Sequence, residues 1–293
     1  MSPSIDLASL GPDGGRLYGS GIDAGDEGRH PEMPVRRRPR VLRTRAINVP
    51  RTRPIRVLRT RPIRVLRTIL IVLLLGGLAF AFRQGLVPPY LNPLPAIDLG
   101  GPSPWLVDWR LAAMKYDADL CRRVLLAPHI DAEPIADNAG RDGCGWSNAV
   151  HMSGAGGVRA SFDKITCEAA TALALWLEYD LQQVAQDILG QRVVAVQSFG
   201  TYSCRNIIGA KFWKNRRSEH ATANAIDIAG FTLANGHQIS VRGQWRGDGT
   251  DARFLRAAHD SACRYFRVVL GPDFNAAHHD HFHLDRGFGW LCG

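Results

Sequence analysis

The spacing of hydrophobic positions changes several times along this chain, and each change predicts an element. Apolar residues at helical spacing predict a helix over about Tyr116 to Leu126 and a longer one from Cys167 to Leu189. From Arg192 onward a strand pattern takes over, with strands expected at Val193 to Phe199, at Ala225 to Phe231 and at Gln238 to Val241. The last of these follows Asn235-Gly236, a dipeptide suited to a tight hairpin turn. A helix from about Ala252 to Phe266 then precedes Val268 to Leu270, and a final strand is expected through His278-His279-Asp280-His281-Phe282-His283. In such a strand the two-residue period places His279, His281 and His283 on one face and turns Asp280 away. Helices beside strands of this kind predict an α+β domain over residues 105–293, with a mostly antiparallel sheet and flanking helices.

The N-terminal third reads differently. Ile69 to Phe82 is an uncharged apolar run of fourteen residues. At about 1.5 Å per residue it falls short of the roughly 30 Å hydrocarbon core of a bilayer. Spanning then needs Arg67 and Arg83 to snorkel or Gln84 to Val87 to join, which sets the segment at 69–87. Ahead of it, Arg36 to Arg67 holds thirteen arginines and no acid, and contains a tandem octapeptide, Arg53 to Thr60 and Arg61 to Thr68. Proline in each copy and like-charge repulsion predict an extended, disordered basic arm over 36–68, following an unstructured tail over 1–35. Prolines between residues 88 and 104 predict a stiff linker that holds the domain off the bilayer. The arginine cluster keeps the N-terminus cytoplasmic, so the expectation is a single pass of a bacterial inner membrane with the C-terminal domain periplasmic. Ala79-Phe80-Ala81 leaves open a cleaved signal segment, although a leader of this length would be unusual.

Charge narrows the partners. The chain carries +9 over 293 residues, but outside residues 1–67 the basic and acidic residues balance at 21 each. A pI near 9.6 is therefore no argument for a nucleic-acid-binding domain. The arm suits anionic lipid headgroups, at about 1 kcal/mol per basic residue near the surface, with RNA as its rival ligand. All six cysteines, Cys121, Cys144, Cys167, Cys204, Cys263 and Cys292, lie beyond the apolar run, which fits three disulfides in an oxidising compartment. Fifteen pairings are possible; the one expected is Cys121–Cys144, Cys204–Cys263 and Cys167–Cys292. No Cys-x-x-Cys pair supports a separate zinc ribbon. The seven tryptophans, Trp290 among them, are read as core or groove lining.

Chemistry concentrates in two segments. Ser218 to Asp227 offers an imidazole in a loop, His220, and a carboxylate on a strand, Asp227. The later tract places four histidines within six residues, a composition that itself signals metal binding. Two imidazoles and one carboxylate suit a catalytic Zn2+, which keeps one position for the water whose pKa it lowers.

These residues resemble a known group. Ser218-Glu219-His220-Ala221-Thr222-Ala223-Asn224-Ala225-Ile226-Asp227 is similar to the Ser-x-His-x-x-Gly-x-Ala-x-Asp motif of the zinc D-Ala-D-Ala carboxypeptidases. His281-Phe282-His283 is similar to the His-x-His that closes the site in that superfamily, which also holds the murein endopeptidases and the hedgehog fold. More narrowly, Cys121 to Cys292, with Tyr202-Ser203-Cys204-Arg205 and Leu270-Gly271-Pro272, resembles the bacterial extensin-like C-terminal domain family. The resemblance implies His220, Asp227 and His283 as zinc ligands and Ser218 as a group that orients a ligand. Ala223 stands where the motif has glycine, a mild departure if its φ is negative. For the proton carrier, the carboxypeptidase pattern implies Asp280 and the endopeptidase pattern implies His278 and His281; strand alternation favours His281. Arg205 is implied as a reader of substrate carboxylate or oxyanion, a task suited to a permanently charged fork of donors. The function implied is a membrane-anchored zinc hydrolase of peptidoglycan peptide bonds. The alternative is a wall-binding or scaffold module that keeps the fold without the chemistry.

Overall fold

A computed structural model describes residues 61–87, 91, 97, 106–127, 129–209 and 212–293. The expected tail, most of the arginine arm and most of the proline linker lie outside these residues.

The first element, α1, runs from Arg61 to Arg83. It begins inside the stretch expected to be disordered: the second octapeptide forms its first turns, where Pro62 lacks only an N–H that has no helical partner anyway. Ile63–Arg83 is 21 residues long and its most apolar 18-residue window has a mean hydropathy of 2.4, enough in length and composition to cross a membrane.

The domain is α+β around a nine-stranded sheet. Two short helices come first, α2 (Val107–Ala112) and α3 (Ala118–Leu125), the second capped by the Asp117 carboxylate accepting from Leu120 N. Then follow β1 (Ile130–Pro134), a small separate ribbon of β2 (Asn138–Ala139) and β3 (Gly145–Trp146), and the hairpin of β4 (Ala149–Ala155) and β5 (Val158–Thr166). No element was predicted over 130–166. The expected helix from Cys167 to Leu189 is present as α4 (Cys167–Leu175) and α5 (Leu181–Leu189), joined by a π-helical turn at Trp176–Asp180 and ended by Gly190 in a left-handed conformation. β6 (Val193–Gly200), β7 (Ala225–Leu233), β8 (Gln238–Ser240), α6 (Val241–Gln244), α7 (Thr250–Ala262), β9 (Val268–Leu270), β10 (Phe282–Asp285) and β11 (Leu291–Cys292) complete the chain.

Strand order in the sheet is β1-β4-β5-β6-β7-β10-β9-β11, with β8 also paired to β7. The sheet is mixed rather than mostly antiparallel. The helical crossover through α4 and α5 brings β6 in parallel to β5, and the return after β10 lays β11 parallel to β9. Helices and sheet share one core. Trp176 packs edge-on to Phe231 with centroids 6.2 Å apart, and Phe231 meets Phe254 of α7 at 5.3 Å.

The disulfides are Cys121–Cys167, Cys144–Cys204 and Cys263–Cys292, which corrects the expected pairing. The reason is topological. α3 packs on α4, the β2–β3 ribbon lies over the loop after β6, and the C-terminus of α7 meets β11, so each cysteine finds a partner with Cα atoms 5.6 to 5.9 Å away.

Buried charges join the helices to the chain just before β9 and just after β10. Arg286, immediately after β10, is fully buried and donates from Nη1 to Asp108 Oδ1 at 2.7 Å and from Nε to Glu168 Oε1 at 3.0 Å. Arg267 Nε donates to the same Asp108 oxygen at 2.7 Å. Burial opposes the Asp108 charge, yet Arg286 and Arg267 outweigh it and hold its pKa below the usual carboxylate range.

Candidate metal centre

The antiparallel ladder between β7 and β10 sets His283 directly opposite Asp227. Directly opposed residues have Cβ atoms about 5 Å apart, so two potential ligands face each other across one sheet face. On the other edge of β7, Gly200 of β6 pairs with Asp227, and the chain leaves the sheet there with φ of 109°. The next residue, Thr201, presents its carbonyl oxygen to His220 Nδ1 at 3.1 Å. His220 itself sits in a 3-10 turn, Glu219–Thr222, capped by Ser218, whose hydroxyl accepts from His220 N at 3.3 Å. Backbone bonds from Ser203 N to His220 O and from Ser218 N to Arg205 O tie that turn to the segment after β6.

Three donor atoms converge as a result. His220 Nε2 lies 3.0 Å from Asp227 Oδ1 and 3.1 Å from His283 Nδ1, and His283 Nδ1 lies 3.1 Å from Asp227 Oδ1. Zinc bonds of about 2.0 to 2.1 Å in a tetrahedron require ligand atoms about 3.3 Å apart, close to this triangle. The outer ring nitrogens are already committed. Thr201 O can only accept, so His220 Nδ1 carries the hydrogen; His283 Nε2 donates to the Asp285 carboxylate at 2.8 Å. Each imidazole is thereby oriented by a second partner in the manner of zinc-binding histidines. Burial opposes a charge on His283, but Asp227 and Asp285 outweigh it and raise its pKa to about 9. Burial likewise opposes ionisation of Asp227, and its contacts with His220 and His283 hold its pKa far below the carboxylate range instead. The triangle therefore attracts positive charge, and its donor set fits Zn2+.

The histidine tract departs from the expected strand. Ala276–His278 is a 3-10 turn and β10 begins only at Phe282, because Asn275 caps the turn by accepting from Ala277 N. His279 therefore does not share the face: its side chain is 59% exposed and bonds to Ala276 O. His281 does reach the site, with Nε2 3.5 Å from Asp227 Oδ1 and Nδ1 donating to Asp280 Oδ1 at 2.9 Å. Asp280 is thus placed behind His281. His278 packs against His281 and His283 with centroids 5.4 and 5.7 Å away, and donates Nδ1–H to Asn275 Oδ1. Burial first, then the charges of His283 and His281, lower its pKa to about 4, so it is neutral at pH 7. Arg205 is near enough to add to that effect and forms no ion pair among the described residues.

Residues 119–292 match the model of the extensin-like protein C-terminus. The chain belongs to this family. No curated protein and no solved structure matches the chain. Within this extensin-like domain, Thr201, Asp285 and Asn275 are parts of the site that the sequence reading missed. Asp285 was accessible to it, since the two-residue period of β10 places it on the face of His283. Thr201 acts through its backbone and leaves no side-chain signal. Ala223 has a φ of 54°, so its departure from glycine is not mild: it holds a left-handed conformation at the end of the His220 turn.

Proposed function

We propose that the protein is a membrane-anchored zinc-dependent hydrolase of peptidoglycan peptide bonds, of the D,D-endopeptidase or carboxypeptidase type. The observation that carries this reading is the donor triangle of His220, Asp227 and His283, its outer nitrogens tied off, with His281 on its rim. Zinc, when bound, polarises a scissile carbonyl and acidifies water. The chain's own residues supply the rest. Asp280 holds His281 Nδ1–H, which leaves Nε2 to accept a proton from water and return it to the leaving amine. Arg205 donates to a substrate carboxylate or to the oxyanion that forms at the carbonyl. Neutral His278 packs behind both imidazoles and fixes their spacing without adding charge.

Purified full-length protein in detergent, incubated with cross-linked peptidoglycan, is expected to release muropeptides. His283→Ala should abolish release while wall binding persists. Equal profiles from wild type and His283→Ala, at one zinc per wild-type chain, would falsify the enzyme reading.

One observation favours a second reading. His281 Nε2, at 3.5 Å from Asp227 Oδ1, is close enough to serve as a fourth protein donor, which would close the site and leave a non-catalytic wall-binding module. X-ray absorption on the zinc form separates the two: three imidazole nitrogens in the shell support the closed module, and two support the hydrolase.

A further inference from the structure

The end of α1 does not float free of the domain. Phe80, inside the apolar stretch, meets Phe288 edge-on with centroids 6.3 Å apart, and Phe82 stacks on Trp109 at 6.4 Å. Arg83 ends the helix with its guanidinium 5.2 Å from the Trp290 ring, 3.3 Å from Asp108 Oδ2 and 3.3 Å from Gly289 O. Its carbonyl oxygen accepts from Arg267 Nη2. Whatever depth the last turn of α1 occupies in a bilayer, Phe288, Trp290 and Trp109 occupy nearly the same depth.

An open cavity of about 550 Å³ lies among these contacts, walled by Arg83, Leu106, Asp108, Trp109, Arg264 and Trp290. Its charge is positive. Of its walls, Arg83 and Arg264 are cationic and Asp108 is anionic, and Asp108 is shared with the buried guanidiniums of Arg267 and Arg286. The Arg264 guanidinium is 52% exposed and pairs with Asp180 at 3.6 Å. Arg83 and Arg264 each keep N–H donors beyond those in these contacts. Phe288 and Trp290 are 60% and 54% exposed, an arrangement of aromatics typical of the zone where acyl chains give way to headgroups.

The geometry points to a phospholipid headgroup site in this cavity: a phosphodiester held by Arg83 and Arg264 between Trp109 and Trp290, its acyl chains running down Phe80 and Phe288. Paired arginines match phosphate oxygens in geometry and charge. The domain then rests on the bilayer surface with its last loop, 286–290, in the headgroup layer. This inference rests on α1 crossing the membrane and is independent of the hydrolase chemistry.

The test uses full-length protein taken from nanodiscs of equal phosphatidylglycerol and phosphatidylcholine and weighed intact by native mass spectrometry. One retained phospholipid per chain, enriched in phosphatidylglycerol, is the expected result. Arg264→Gln should lower retention about tenfold and Trp290→Leu severalfold, with circular dichroism unchanged. Short-chain phosphatidylglycerol should displace the lipid, whereas inorganic phosphate should not. Displacement by inorganic phosphate would make this a small-anion site and overturn the lipid assignment. Arg264→Gln and Trp290→Leu both retaining lipid as the wild type does, or a full-length chain carrying none, would also overturn it. The mass itself reports on the anchor: a chain shortened near Ala81 counts against the span and takes the site with it.

Discussion

At the residue scale, the site is two imidazoles aimed by second partners at one carboxylate. Asp285→Asn keeps the shape of the side chain but removes the charge that steadies His283 Nε2–H, so zinc affinity should fall about 10- to 100-fold in a chelator competition. His281→Ala should leave zinc bound and lower the rate of cross-link cleavage about 10²- to 10⁴-fold, the usual contribution of a positioned proton carrier. If cleavage persists at the wild-type rate, His281 is not that carrier. That His220, Asp227 and His283 converge was legible because few residue types can serve as metal ligands; the order of the neighbouring side chains in space was not. His279 looked equivalent to His281 until Asn275 turned the backbone. Ala223 is a mild replacement for glycine only at negative φ, and its left-handed backbone costs about 1 to 2 kcal/mol. Ala223→Gly relieves that strain and loses one buried methyl worth about 0.8 kcal/mol, so thermal denaturation should show little change or slight stabilisation.

At the element scale, periodicity located the long helices and the strands that carry the ligands, but not the β4–β5 hairpin. β5 alternates buried and exposed positions and carried a readable signal; β4 is buried on both sides near its ends, which erases the two-residue period. Gly154 also obscures that strand, although it is required there, since a Cβ would lie 2.5 Å from Val158 O. The buried arginine network was illegible for another reason. Asp108, Glu168, Arg267 and Arg286 are far apart in sequence, and nothing local distinguishes them from surface charges. Removing one partner strands the others, so Arg286→Ala should destabilise the domain by about 3 to 5 kcal/mol in a denaturant titration. A value below 1 kcal/mol would show the network to be incidental. The same network gives an acid limit. Asp108 has a folded pKa below its unfolded value of 3.8, so its stabilising contribution is complete above that pH and is lost as pH falls through the lower folded value. Replacing Asp108 should flatten the acid limb of the stability profile below about pH 4, and an unchanged limb would assign the limit to other groups.

At the scale of the whole molecule, composition divided the chain into a basic arm, an apolar segment and a neutral domain, and the structure adds that the end of the apolar helix packs on the domain. Sequence could not show this, because the contacts join Phe80, Phe82 and Arg83 to residues as distant as Phe288 and Trp290. On the proposed function, with α1 in the membrane, cleavage would then be confined to wall strands close to the bilayer. The central claim remains the chemistry of one metal held by two imidazoles and a carboxylate. Its most direct test is a titration: protein stripped by a chelator and returned to zinc in steps, with cleavage of cross-linked muropeptides followed at each step. Activity that rises linearly and reaches its plateau at one zinc per chain is the result predicted. Cleavage already complete in the stripped protein, or none at any zinc level, would contradict the account.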